Sequence, residues 1–348
     1  MKIQVNNLGT IKDGIIDLSK ELIIFVGPNN TGKSYLAYLI YGLYKNPTEM
    51  NQNRAHEAIL KIFASNQLMP VVKIKANTKA LLPQPIYFFP AERTAINMLA
   101  REVLKQKAAK LDDISQQILT ANDLETVFKS VTKTHLIPRY PLAILDYLSF
   151  VNDLDYITRN QSHFADFADE MEGLLQGSLT VSEYGDINFT PQNSQQKLEL
   201  HISSSLVKSL SGLVLYFRHL ARPGDLIMID EPELNLHPDS QLLVTRMLAK
   251  AVNQGFKIIL STHSDYIIKE FNNLIMLNRA SEADVAELGY DKQVILDKQK
   301  VGAYFFSDHT IEPIEVSDTG LTVKTIDASI DALDNMMESI YYKIFENA

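Results

Sequence analysis

The rhythm of apolar and polar positions changes several times along this chain. Lys2 to Val5, Gly9 to Gly14 and Ile15 to Leu18 read as short strands separated by turns, and Leu22-Ile23-Ile24-Phe25-Val26 is a continuous apolar run of the kind buried on both faces of a sheet. A helix is expected from Ser34 to about Tyr44, and Ile86-Tyr87-Phe88-Phe89, bracketed by Pro85 and Pro90, reads as a second buried strand. From about Glu92 to Gly177 apolar residues recur at spacings of three and four, as in Ile114, Ile118 and Leu119 or Leu145, Leu148, Val151 and Leu154. That period predicts an inserted helical lobe.

The stretch Gly177 to Gln196 is rich in turn residues and carries a hairpin pattern, Leu179-Thr180-Val181 and Asp186-Ile187-Asn188-Phe189 around Tyr184-Gly185. Strand and helix then alternate: helix Ser205 to Leu220, strand Leu226 to Ile229, helix Pro238 to Asn253, strand Lys257 to Leu260, helix Asp265 to Phe271, strand Leu274 to Leu277. Alternation of this kind, with unbroken apolar strands, places the chain in the α/β class, with a parallel sheet covered by helices on both faces. A hairpin around Asp318-Thr319-Gly320 and a last helix follow, with the stripe Ile330, Leu333, Met337, Ile340 and Ile344 expected to dock on the core. The chain therefore divides into residues 1–93, an inserted lobe at 94–196, a return to the core at 197–300, and a C-terminal hairpin and helix at 301–348.

Composition narrows the class of function. With 46% hydrophobic and 22% charged residues the chain is an ordinary globular protein, and 42 acidic against 33 basic residues give a net charge of −9. That balance disfavours a protein coated in nucleic acid or held to an anionic membrane by charge. There is no cysteine, which removes disulfides, thiolate chemistry and Cys-ligated metals. The N-terminus alternates like a strand, without the apolar core of a signal peptide, and apolar runs such as Gly212 to Phe217 fall far short of a bilayer span, so a cytoplasmic location with no membrane partner is expected.

Candidate chemistry begins directly behind the first buried strand. Gly27-Pro28-Asn29-Asn30-Thr31-Gly32-Lys33-Ser34 fills every fixed position of a phosphate-binding loop and precedes a predicted helix. Glycines let backbone N–H groups curl around phosphates, and the helix adds its positive dipole end. Lys33 is expected to neutralise phosphate oxygens of a nucleoside triphosphate and Ser34 to ligate Mg²⁺. A later apolar strand ends in Asp230-Glu231, where Asp230 would hold Mg²⁺ through water and Glu231 would polarise the attacking water. The strand Ile258-Ile259-Leu260 leads to Ser261-Thr262-His263-Ser264, which puts His263 within reach of a γ-phosphate.

These motifs, together with Glu231-Pro232-Glu233-Leu234-Asn235-Leu236-His237-Pro238, resemble an ABC-type ATPase of the branch that includes OLD-family proteins, RecF and the SMC ATPases. The resemblance covers about residues 1–93 and 200–280. It implies an ABC-type core with an N-terminal antiparallel β lobe and a mixed sheet, ATP and Mg²⁺ as cofactors, and a homodimer closed around ATP, open to higher assembly. The glycine-rich signature of that superfamily is not present in standard form. Ser203-Ser204-Ser205, just before a long helix, occupy its place and are the candidates to meet the γ-phosphate of a second copy, the alternative being an ordinary serine helix cap. In Phe89-Pro90-Ala91-Glu92-Arg93-Thr94, Arg93 is the candidate for nucleotide or cross-subunit contact.

OLD-type ATPases often carry a Toprim nuclease, but the sole Asp-x-Asp here, Asp153-Leu154-Asp155, falls in the helical lobe, where a solvated helix face accounts for it. The resemblance thus points to a nucleotide-dependent switch in bacterial phage defence that works with a separately encoded nuclease or toxin. A RecF-like repair ATPase that binds DNA or RNA is the alternative. It would draw on Arg101, Lys105, Lys107 and Lys110 and on Lys129, Lys133, His135 and Arg139, for which a solvated helix surface is the favoured account given the acidic total. An ABC transporter subunit is a more distant reading.

Overall fold

Residues 22–26, 226–229 and 258–260 are apolar on both faces because each strand is covered on both sides. Leu22, Ile24 and Val26 enter one hydrophobic core and Ile23 and Phe25 the other, and Ile227/Ile229 and Leu226/Met228 divide in the same way. The computed structural model describes residues 1–46, 55–65, 67–68, 70–75, 85–100, 140–307, 309–323 and 335–346.

Among the described residues one sheet of nine strands organises the fold. Its strands are β1 (Lys2–Leu8), β2 (Ile11–Asp17), β3 (Leu22–Val26), β4 (Val71–Lys75), β5 (Ile86–Phe89), β9 (Leu226–Asp230), β10 (Lys257–Thr262), β11 (Val301–Ser307) and β12 (Thr310–Ile314), in the order β4-β1-β2-β12-β11-β3-β10-β9-β5. β4, β1 and β2 pair antiparallel, whereas β11, β3, β10, β9 and β5 run parallel. The register aligns Ile24 with Leu260, and Leu260 with Ile229, so the C-terminal ends of the parallel strands share one edge of the sheet. That edge is where an open α/β sheet presents ligands.

Helices α1 (Lys33–Lys45) and α2 (Ala55–Phe63) cover one face. The opposite face is covered by α5 (Ala165–Leu175), α6 (Ser205–His219), α7 (Pro238–Asn253) and α8 (Asp265–Met276). Helix α3 (Leu142–Asn152) packs beside β5 and is tied to α1 where the Tyr41 hydroxyl donates to Asp146 at 2.6 Å; α4 (Leu154–Ile157) follows it. The expected hairpin is present as β6 (Gly177–Val181) and β7 (Ile187–Pro191), joined by β8 (Leu198–Glu199) into a separate small sheet. β13 (Val316–Ser317) and β14 (Gly320–Leu321) form the second hairpin.

Several expectations change. Gly9–Gly14 and Ile15–Leu18 are not two strands but one, β2, through Gly14, where a Cβ would lie 2.5 Å from Ile311 of the neighbouring strand. Leu274–Leu277 is not a strand: Ile267, Ile268, Phe271, Leu274 and Ile275 keep helical spacing and all face the core from α8. Val301–Ser307, where no strand is expected from the sequence, lies at the centre of the sheet between β3 and β12. The last helix does not dock as expected over its described residues, because Met337 and Ile340 remain 68% and 50% exposed; Ile330 and Leu333 lie outside the described residues. Residues 101–139, with both basic clusters, also lie outside them. Among the described residues no helix is long and apolar enough to cross a membrane.

Candidate nucleotide site

Three neighbouring parallel strands deliver the site. β3 ends at Val26 and turns into the loop 27–32, which feeds α1 at Lys33. Gly27 and Gly32 sit at φ +148° and +98°, and a Cβ on Gly27 would lie 2.3 Å from the Phe306 carbonyl of β11. The tight loop therefore requires glycine at both places. Lys33 is buried and folds back over the loop, donating to the carbonyls of Gly27 at 2.9 Å and Pro28 at 2.7 Å. Burial lowers its ammonium to about 8, opposed by the charges of Asp230, Glu231 and Glu233. A cavity of about 590 Å³ opens here, lined by Thr10, residues 29–35, Glu231 and His263.

Asp230 ends β9, nearly fully buried, and burial raises its carboxyl group above the usual range. Its side chain accepts from the hydroxyls of Ser261 and Ser34. A buried carboxylate beside a hydroxyl at the mouth of a phosphate loop fits Mg²⁺, a hard cation that keeps several waters and takes few protein ligands. Ser34 and Asp230 would hold it, with no third His, Cys, Asp or Glu forming a metal cluster among the described residues.

Glu231 follows at φ +49°, a left-handed conformation costly for a residue with a side chain. This turn sends its carboxylate into the cavity, where Oε1 lies 3.3 Å from Nε2 of His263. The His263 hydrogen bond is the main cause of a carboxyl group held below its usual range, against the opposing effect of burial. Glu233 turns the other way: its Oε1 accepts from the His263 backbone N–H at 2.7 Å and the Thr262 hydroxyl at 2.8 Å. Burial raises this carboxyl group. The Ser264 hydroxyl donates to Gln241, whose amide donates to the Leu236 carbonyl at 3.0 Å. The turn after β10 and the segment 231–236 are thus fastened together.

The structure brings Gly27–Ser34, Asp230, Glu231 and His263 to one place. Ser203, Ser204 and Ser205 lie elsewhere: Ser203 is buried and donates to the Glu199 carbonyl, Ser204 caps α6 by accepting from the Val207 N–H at 3.3 Å, and Ser205 begins the helix. None of them lines the cavity. Arg93 is a correction. It is 3% exposed and spends its donors on the carbonyls of Pro90, Ser209, Asp230, Glu231 and Pro232 and on the Ser209 hydroxyl, so it has none left for a nucleotide or a second subunit.

Sequence reading missed Ser261, Glu233 and Gln241. Ser261 is opposite Asp230 in the β9–β10 register, and a serine ending a buried apolar strand next to an acid-tipped one is a signal that could have found it. Asp153 and Asp155 flank the start of α4, away from this cavity.

A family model described as AAA ATPase domain matches residues 1–81 and 64–268. No curated protein matches the chain. Among solved structures it is similar to the Smc head domain of Pyrococcus furiosus, described with an extended coiled coil bound to the C-terminal domain of ScpA, at 14% identity and a TM-score of 0.41, over 97% of this chain and 98% of that one. An SmcHead bound to the C-winged helix domain of ScpA is similar at 12% identity and a TM-score of 0.42, over 91% and 97%. The SMC head domain of Thermotoga maritima is similar at 12% identity and a TM-score of 0.38, over 90% and 98%.

Proposed function

This chain belongs to the AAA ATPase domain family and is an ATPase with a P-loop fold, and from that premise we propose that it is a cytoplasmic nucleotide switch of the OLD-like branch, closing as a homodimer around two ATP molecules. Lys33 and the loop amides bind the triphosphate, and Ser34 and Asp230 hold Mg²⁺, which supplies charge neutralisation on the phosphates. Glu231 orients a water on the γ-phosphorus and accepts its proton as the new P–O bond forms and the bond to the ADP oxygen breaks. His263 keeps Glu231 ionised and aimed. Of the three candidate serines, Ser204 and Ser205 are exposed at the start of α6 and face the nucleotide of the second copy, whereas Ser203 is buried and cannot.

The observation that carries this reading is the pairing of Glu231 with His263 at the rim of the loop cavity, with the candidate serines outside it. In this reading a second copy supplies the serines that the cavity of one chain lacks. By the motif resemblance, the switch acts in phage defence through a separately encoded nuclease or toxin.

The test is light scattering on Glu231→Gln with Mg-ATP. A dimer that forms with ATP and not with ADP, and that Lys33→Ala cannot form, is expected; a variant that stays monomeric when saturated with ATP overturns the model. Affinity capture with and without ATP then tests the effector, with ATP-dependent retention of a nuclease or toxin expected and retention of DNA alone favouring a repair role.

A further inference from the structure

The Arg93 guanidinium is a fully buried cation with no role in the chemistry set out above. Its Nε donates to the Ser209 carbonyl at 3.2 Å; Nη1 donates to the carbonyls of Pro90 at 3.1 Å and Asp230 at 2.9 Å. Nη2 donates to the Ser209 hydroxyl at 3.1 Å and to the carbonyls of Glu231 at 2.9 Å and Pro232 at 3.3 Å. None of these acceptors is a carboxylate. A buried charge is costly, and a simple brace between two carbonyls could be made by a neutral amide. A planar fork of five N–H groups is matched to a turn whose successive carbonyls converge, and that turn is the left-handed one that aims Glu231.

The second anchor is on α6. Ser209 accepts from Arg93 and donates its hydroxyl to the Leu234 carbonyl at 3.2 Å, so the segment that carries the acids is bound to this helix twice. The same helix starts at the cap residue Ser204, about one and a half helical turns before Ser209. Residues 93–100 are helical, and Asn97, one turn after Arg93, donates to the Lys208 carbonyl and to the Ser211 hydroxyl, tying this segment to α6.

We propose that Arg93 is a positioning residue for hydrolysis, locking the carbonyls of Asp230, Glu231 and Pro232 to Ser209 so that the Glu231 carboxylate is set by the position of α6. A shift of the helix start at Ser204, such as engagement of a phosphate there would impose, is then carried through Ser209 and the guanidinium to the group that handles the water. Hydrolysis then waits on contact at the start of the helix. The inference rests on the reading of Glu231 as that group.

The experiment compares Arg93→Lys, Ser209→Ala, Glu231→Gln and the double variant Arg93→Lys/Glu231→Gln, reading the nucleotide Kd, the single-turnover rate at saturating Mg-ATP and the melting temperature. Arg93→Lys keeps the charge but has three donors on one atom. A loss in rate of about 10- to 100-fold is expected, as for a misplaced catalytic group, with Kd within about threefold. Ser209→Ala should lose less. Because Arg93 acts through Glu231, the double variant should be no slower than Glu231→Gln alone.

A wild-type rate in Arg93→Lys, or losses that multiply in the double variant, would overturn the proposal and leave a brace that serves stability alone. Should Arg93→Lys fail to fold, the same cycle with Ser209→Ala decides in the same way. Undiminished turnover in Glu231→Gln would remove the underlying reading and the proposal with it, an outcome distinct from failure of Arg93→Lys alone.

Discussion

His263 presents its Nε2 atom 3.3 Å from Oε1 of Glu231, while its backbone N–H is held by Glu233. The histidine thus joins two carboxyl groups of one turn whose pKa values are displaced in opposite directions. Glu231 is held low by the imidazole and Glu233 is raised by burial.

Replacing His263 with Ala removes the main cause of the lowered Glu231 carboxyl group. Its pKa should rise, so the active carboxylate is lost at a higher pH as solutions are acidified, and the acid limb of the kcat profile moves upward. Turnover at neutral pH should fall by about 100-fold, as for loss of one preorganised donor. A pH–rate profile from pH 4 to 8 checks both; an unmoved acid limb would mean that the pair does not act together.

Lys33 should take up a proton when ATP binds. In the free protein burial lowers its ammonium to about 8, so near that pH a substantial fraction is neutral. Phosphate oxygens favour the charged form and raise the value again. Calorimetry at pH 8.5 in buffers of different ionisation enthalpy should record net uptake, and affinity should weaken from pH 7 to 9. Equal apparent enthalpies in all buffers would argue against this.

Glu233→Ala leaves the Thr262 hydroxyl and the His263 N–H without their shared acceptor. Each buried donor left without a partner costs about 1–3 kcal/mol, so a clear fall in urea midpoint with an unchanged m value is expected. A midpoint equal to wild type would show that water replaces the carboxylate without loss.

Gly27→Ala should abolish nucleotide binding while most of the sheet survives. The new methyl would meet the Phe306 carbonyl at 2.3 Å, and the backbone at φ +148° is one that a side chain rarely adopts. Circular dichroism close to wild type with no measurable binding of a fluorescent ATP analogue is the expected pair of results.

What could be read from the chain alone was local. Leu22 to Ser34 carries a strand, a glycine loop and a helix start in contiguous residues, and Leu226 to Glu231 carries a buried strand tipped with acids; each is complete within a short window. Helix Pro238–Asn253 has the bounds its spacing predicts, because Pro238 fixes the first turn. Arg93 was misread because its acceptors, Ser209 and Asp230 to Pro232, are distant in sequence and no periodicity announces them. Leu274–Leu277 was misread because a short apolar run does not distinguish a strand from the end of a buried helix. β11 carries apolar residues, but its partner β3 lies at the other end of the chain.

That last pairing governs when the protein can work. The loop that grips the triphosphate rests at Gly27 against the Phe306 carbonyl, and β3 is flanked by β11 along its length. Its floor is therefore supplied by residues translated after the loop 27–34, the acids 230–231 and His263. A nascent chain halted before Val301 holds every motif residue but not the strand against which the loop rests, so tight nucleotide binding is expected only after that long-range pairing forms.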